Sequence, residues 1–154
     1  MQRTDIIRPA QFAGIGLIAG LAGTAAMSLS QAIEMRLTKR APSATPAKAV
    51  EAATGVDVPG DKDEARLSTA AHVAFGTGLG LGLAAIEKVP EPSRVALFFL
   101  GSWGTGTALI TGLGVSKPPT EWDRTELATD LVHHAVYAGS AALAFAGLRR
   151  LASI

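Results

Sequence analysis

PAQFAGIGLIAGLAGTAAMSLSQAI, residues 9–33, runs for twenty-five positions without a charge between Arg8 and Glu34. A helix rises about 1.5 Å per residue, and about 20 mainly apolar residues cross the hydrocarbon of a bilayer. Three further uncharged runs follow, at 67–86, 95–116 and 131–148. The last reaches spanning length only if its helix begins near Glu126 and carries Asp130, His133 and His134 with it. Helices of a soluble bundle show a charged face every three to four residues, and these stretches have none. The expectation is an all-α integral membrane bundle, one domain over 1–154, with spans at about 10–35, 64–87, 93–115 and 124–150. Small residues at Ala22, Thr24 and Ala26 resemble a signal-peptide cleavage region. The apolar stretch is long for that role and three more spans follow, so the first is expected to be retained.

Composition agrees. Hydrophobic residues make up 48% of the 154 and charged ones 18%, with a mean hydropathy of +0.30, which excludes a disordered or acidic-tail protein. A net charge of +1 gives no general attraction to nucleic acid. Without cysteine there is no disulfide, thiolate metal site or cysteine nucleophile.

The connections divide the chain in the same way. Thr45-Pro46 reads as an N-cap and first helical residue and Gly55 as a stop, predicting a short surface helix over about 46–54 between the first two spans. Asp61, Asp63 and Glu64 suit the first turn of the second span, where the helix dipole favours negative charge. Thr120 or Asp123 can cap the fourth span, and Trp122 stands where an aromatic anchor meets headgroups. Four spans put both termini on one side, with six basic residues there against eight on the other. That difference decides little under the positive-inside rule; cytoplasmic termini are the expectation.

Helices in lipid associate through small residues that let backbones approach. Gly16, Gly20, Thr24, Ser28 and Gln31 form such a stripe on the first span, and Ser68, His72, Gly76 and Gly80 on the second. Gly101, Gly104, Ala108 and Thr111 do so on the third, and Tyr137, Ser140, Ala141 and Ala144 on the fourth. The stripes predict a tight bundle or an oligomer face. Leu17, Leu21, Phe75, Leu79, Phe98 and Phe99 are left for lipid or for gaps.

Ionisable residues gather toward one end. Glu126, Asp130, His133 and Tyr137 recur at helical spacing on the fourth span, with His134 beside them. His72 stands at a similar depth on the second span, and Glu34 closes the first. Glu34, His72, Asp130, His133 and His134 are thus expected to converge, with Thr107 and Thr111 adding hydroxyls. Such groups cost roughly 2.5–3.5 kcal/mol each at the centre of a membrane helix, so they face protein and are often functional.

Three readings follow. Imidazoles with carboxylates suit a transition metal, for which the set is Glu34, His72, Asp130, His133 and His134. His72 and His133 also suit axial ligation of haem b, with Gly76 leaving room for the ring. A Glu–His pair that titrates near neutrality suits a small proton-coupled transporter. The third reading is a structural or accessory subunit of a membrane complex, its network locking the bundle. One Asp-x-x-His-His run is too little for a membrane desaturase. The glycines at 76–82 lack the Lys-Ser/Thr of a phosphate-binding loop, and no strand precedes Ser102 as a nucleophile elbow requires.

The glycine-rich first span running into Gln31-x-x-Glu34, the lone His72, Glu121-Trp122 and His133-His134 resembles small uncharacterised bacterial inner-membrane proteins. The resemblance implies a bacterial inner membrane and brings no assigned activity; a homo-oligomer or a larger membrane complex is what the small-residue stripes allow.

Overall fold

A computed structural model describes the backbone of residues 3–153 and the side chains of residues 8–153. Six α-helices follow one another: α1 (Arg3–Thr38), α2 (Thr45–Thr54), α3 (Asp61–Leu79), α4 (Leu81–Ala85), α5 (Ser93–Gly112) and α6 (Arg124–Leu151), with a 3₁₀ turn at Pro119–Glu121. No strand occurs among the described residues. Four helical stretches are long and apolar enough to cross a membrane: Arg8–Thr38, Asp61–Ala85, Ser93–Gly112 and Arg124–Leu151.

The local chemistry of the ends explains the boundaries. The Asp123 side chain accepts from the N–H groups of Thr125 and Glu126 and caps α6. Asp61, Asp63 and Glu64 occupy the first turn of α3. Helix α2 begins one residue earlier than expected: Thr45 is its first residue rather than its cap, and its N–H bonds the Ser43 hydroxyl. Gly55 ends α2 at φ 72°, its N–H on the Glu51 carbonyl, as the stop signal required. Helix α5 stops at Gly112, short of 115, because Gly114 turns left-handed at φ 71°. The Val115 N–H then bonds back to Ile110 and that of Gly114 to Thr111, the reciprocal pair that closes a helix C-terminus.

The second span breaks where one continuous helix was expected. At Gly80 the bonds tighten to the three-residue kind, Gly80 N–H to Thr77 and Leu83 N–H to Gly80. This is where α1 comes closest. A Cβ placed on Gly20 would lie 2.6 Å from the Thr77 carbonyl oxygen and 2.8 Å from that of Gly76. One on Gly16 would lie 2.7 Å from the Gly80 oxygen, and one on Gly80 would collide with the Gly16 oxygen. On the opposite flank of α1, a Cβ on Gly23 would lie 2.8 Å from the Tyr137 oxygen of α6. Helix α1 therefore packs along α6 on one side and along α3 and α4 on the other, whereas α5 joins mainly through α6 and α4.

The core consists of Phe12, Ala19 and Met27 of α1, Leu83 of α4, Phe98 of α5, and Tyr137, Ala138, Ala141, Ala142 and Phe145 of α6. Phe98 is thus core, while Leu17, Leu21 and Phe75 stay exposed. Ile18 and Leu29 of α1, Leu100 of α5, and Val132 and Leu143 of α6 are each more than half exposed and Val73 and Phe75 of α3 more than a third, so all the long helices turn large apolar side chains outward. The third stripe also points outward: Gly101 and Ala108 are exposed, and Cβ atoms on Gly101 and Gly104 would meet nothing within 4 Å. The face of α5 that packs inward carries Phe98, Ser102 and Thr107 instead.

Backbone atoms cannot move aside as side-chain ends can. Gly20→Ala is expected to destabilise the bundle by about 1–3 kcal/mol, the usual cost of overpacking. Gly104→Ala, which enters open space, is expected to change stability by less than about 0.5 kcal/mol. Thermal loss of helical circular dichroism in detergent checks the pair; equal effects would refute the close crossing.

Candidate functional site

The polar residues at the end nearest the 39–60 segment are arranged by α6. Consecutive helical residues lie about 100° apart, so adjacent histidines face different neighbours. His133, 5% exposed, faces α1. Its Nδ1 lies 2.9 Å from the Ser30 hydroxyl, and its Nε2 lies 3.8 Å from Glu34 Oε2, within ion-pair range of a protonated ring but beyond a hydrogen bond. Glu34 is held from outside by Arg40, whose Nη2 and Nε donate to Oε2 at 2.7 and 3.1 Å, and by the Thr38 hydroxyl donating to Oε1 at 2.9 Å. That hydrogen-bonded carboxylate raises the Arg40 guanidinium still further above its ordinary value.

His134 looks toward α5. Its Nδ1 is 2.9 Å from the Asp130 carbonyl oxygen and 3.3 Å from Asp130 Oδ2. Both partners are acceptors, so Nδ1 carries a proton and a neutral ring keeps its lone pair on Nε2. Asp130 Oδ2 also accepts the indole N–H of Trp103 at 2.7 Å, which ties α6 to α5. A buried indole N–H needs an acceptor, and Asp130 is the one within reach.

His72 lies on α3, which packs against the other flank of α1. Its Nε2 is buried with no hydrogen-bond partner, as is Nε2 of His133. One turn farther into the bundle the Tyr137 hydroxyl donates to the Gly76 carbonyl at 2.6 Å and joins α6 directly to α3.

The five residues expected to form one ligand set are therefore divided into a Glu34–His133 pair between α1 and α6, an Asp130–His134 pair within α6 on its α5 side, and His72 on α3. Among the described residues no three His, Cys, Asp or Glu side chains are grouped so as to hold a metal ion. The room that Gly76 was expected to leave for a haem ring is occupied: a Cβ there would collide with the Thr24 hydroxyl. The hydroxyls of Thr107 and Thr111 are engaged too, the first on the Trp103 and Gly104 carbonyls and the second on that of Lys117. Glu126 is exposed, beyond the cluster.

Ser30, Arg40 and Trp103 complete these pairs without having been singled out from the sequence. For Trp103 a signal was available, since an indole N–H in an apolar run must be satisfied by a neighbouring helix. For Ser30 and Arg40 none was: any of several hydroxyls and cations near Glu34 would have served equally.

No protein-family model matches the chain, and no curated protein or solved structure matches it either.

Removing one donor tests each tie. Trp103→Phe and Ser30→Ala are each expected to lower stability by about 0.6–1.7 kcal/mol, the range for interhelical hydrogen bonds in membranes. In a double-mutant cycle Trp103→Phe should lose its effect once Asp130 is alanine. Ser30→Ala should keep its effect in that background, because the two pairs are separate. Reversible unfolding in mixed micelles measures both, and coupling between Ser30 and Asp130 would contradict the division.

Proposed function

We propose that this chain is a small four-span protein of a bacterial inner membrane, both termini cytoplasmic, whose polar residues lock the bundle in a structural or accessory role. The observation that carries the reading is its polarity. Large side chains such as Leu29, Leu100 and Leu143 face outward, while His133 is buried and Asp130 and Glu34 are turned to partners on neighbouring helices. A surface of that kind suits lipid, and ionisable groups in lipid are expected to face protein and pair. The outward α5 face with Gly101, Gly104 and Ala108 supports docking of a second copy or of a larger membrane complex, since small residues let a helix approach closely.

A second reading rests on the two buried, unpartnered imidazole nitrogens. Nε2 of His133 and of His72 retain binding capacity, and Glu34 lies 3.8 Å from the first. A proton or a metal ion completed by water is the chemistry they favour, and the accessible function is then proton-coupled transport or cofactor binding.

The absence of cysteine makes topology directly testable. Single cysteines at Lys88 and Ser153 are expected to react with an impermeant maleimide from the cytoplasmic side, and one at Ser43 from the opposite side. The chain should stay in the pellet after alkaline carbonate extraction; release into the supernatant would refute the membrane reading. Absorption spectra and elemental analysis of the purified protein should show neither a Soret band nor stoichiometric metal. A bound metal that is lost in a folded His72→Ala variant would replace the structural role with the second reading.

A further inference from the structure

The opposite end of the bundle, where α1 begins and α6 ends, carries different chemistry. Phe12 of α1 and Phe145 of α6 pack with ring centroids 6.4 Å apart and form a two-ring platform. Three guanidinium groups from three helices converge on it. Arg149 of α6 lies 5.0 Å from the Phe12 centroid and 5.8 Å from that of Phe145. Arg94 of α5 lies 5.8 Å from the Phe145 centroid, and Arg8 of α1 lies 6.0 Å from that of Phe12.

Their needs are met unequally. Arg94, only 8% exposed, is held at all three nitrogens: Nε and Nη2 donate to Glu91 Oε1 at 2.8 and 2.5 Å and Nη1 to the Glu87 carbonyl at 3.1 Å. Arg149 donates through Nη1 to the same carbonyl at 3.3 Å, and its Nη2 is 3.8 Å from Glu87 Oε2. Glu91 thus offsets the charge of Arg94 and Glu87 part of that of Arg149, while the ring faces attract cations without cancelling charge. Among the residues with described side chains, this end holds Arg8, Lys88, Arg94, Arg149 and Arg150 against Glu87 and Glu91. The other end is net acidic, with eight basic and ten acidic residues.

We propose that the junction of α1 and α6 over Phe12 binds the phosphate of an anionic phospholipid headgroup, with Arg8 and Arg149 as its charged contacts. The proposal rests on the membrane reading above. Basic pockets between spanning helices recruit anionic headgroups, and guanidinium forks match phosphate oxygens in pairs. The platform supports the choice: apolar ring faces at the edge of a span put the arginines at headgroup depth, and an acyl chain would continue along exposed Ile18 and Leu21.

The test uses the full chain in nanodiscs of phosphatidylcholine, titrated with phosphatidylglycerol, with lipid retained per protein counted by native mass spectrometry. Phosphatidylglycerol is expected to be retained in preference to phosphatidylcholine. Arg8→Gln, at an exposed position, should weaken that preference about fivefold, and Arg8→Gln with Arg149→Gln about thirtyfold, at roughly one charge contact each. Arg66→Gln at the other end should leave it unchanged. If the double variant does not fold, the single Arg8→Gln measurement decides. Equal retention of both lipids, or an equal loss with Arg66→Gln, would overturn the site, and displacement by millimolar inorganic phosphate would reassign it to a soluble anion. A carbonate-resistant protein with no lipid preference sinks this proposal alone, whereas a carbonate-soluble one sinks the membrane reading beneath it.

Discussion

Helix α1 crosses α3 with backbone against backbone, and the rest of the arrangement is referred to that crossing. Gly16 and Gly20 stand opposite Gly76 and Gly80 with no room for a methyl group at any of the four. Thr24, the next residue of the row, fits because Gly76 opposite has no side chain: its hydroxyl, which donates to the Gly20 carbonyl, fills the space a Cβ there would take. Close approach multiplies weak dispersion contacts and the small attractions of backbone dipoles, and these are the forces left when the surroundings are as apolar as the side chains. The crossing also accounts for the tightened turn at Gly80: the chain narrows there to let the two backbones pass.

With α3 on one flank of α1, α6 can take only the other. That placement decides the polar end. Seen from α6, α1 and α5 lie in different directions, and two adjacent histidines are the economical way to address both. His133 meets Ser30 and Glu34 while His134 meets Asp130, which in turn holds Trp103. Spacing on a single helix suggested one shared site, but spacing reports only which residues share a face, not how many neighbours that face has. The 100° between residues 133 and 134 is enough to separate them once α6 has a helix on each side.

The same distinction shows what could be read from the residues alone. The four long helices, the stop at Gly55, the acidic first turn of α3 and the Asp123 cap are local properties and were legible. The stripe on α1 was legible only in its first half. Each step of four residues advances about 40° around a helix, so three such steps carry Ser28 about 120° from Gly16. The buried face mixes steps of four and three, through Phe12, Gly16, Ala19, Gly23 and Met27, with Gly20 and Thr24 buried beside it and Ser28 exposed. On α5 the glycines marked the outer face, because nothing in a sequence says whether a smooth surface meets its own chain or another. Ser30 and Arg40 were invisible for a related reason: their roles come from the tertiary neighbour, not from any pattern of their own.

The two ends of the molecule solve one problem in opposite ways. A charge is most costly at the middle of a span and less so toward its ends, so the middle is left to glycine, alanine and threonine. Toward the 39–60 segment, carboxylates and imidazoles pair with each other and the local charge is net acidic. Toward the termini, Arg94 and Arg149 are stacked on phenylalanine and the charge is net basic. The carboxylates and imidazoles meet their partners within the bundle except at Nε2 of His133 and His72, whereas Arg149 over its two rings keeps part of its donor fork free. On the membrane reading proposed above, the basic end would be completed by an anion, and the nearest abundant one at the edge of a bilayer is the lipid headgroup.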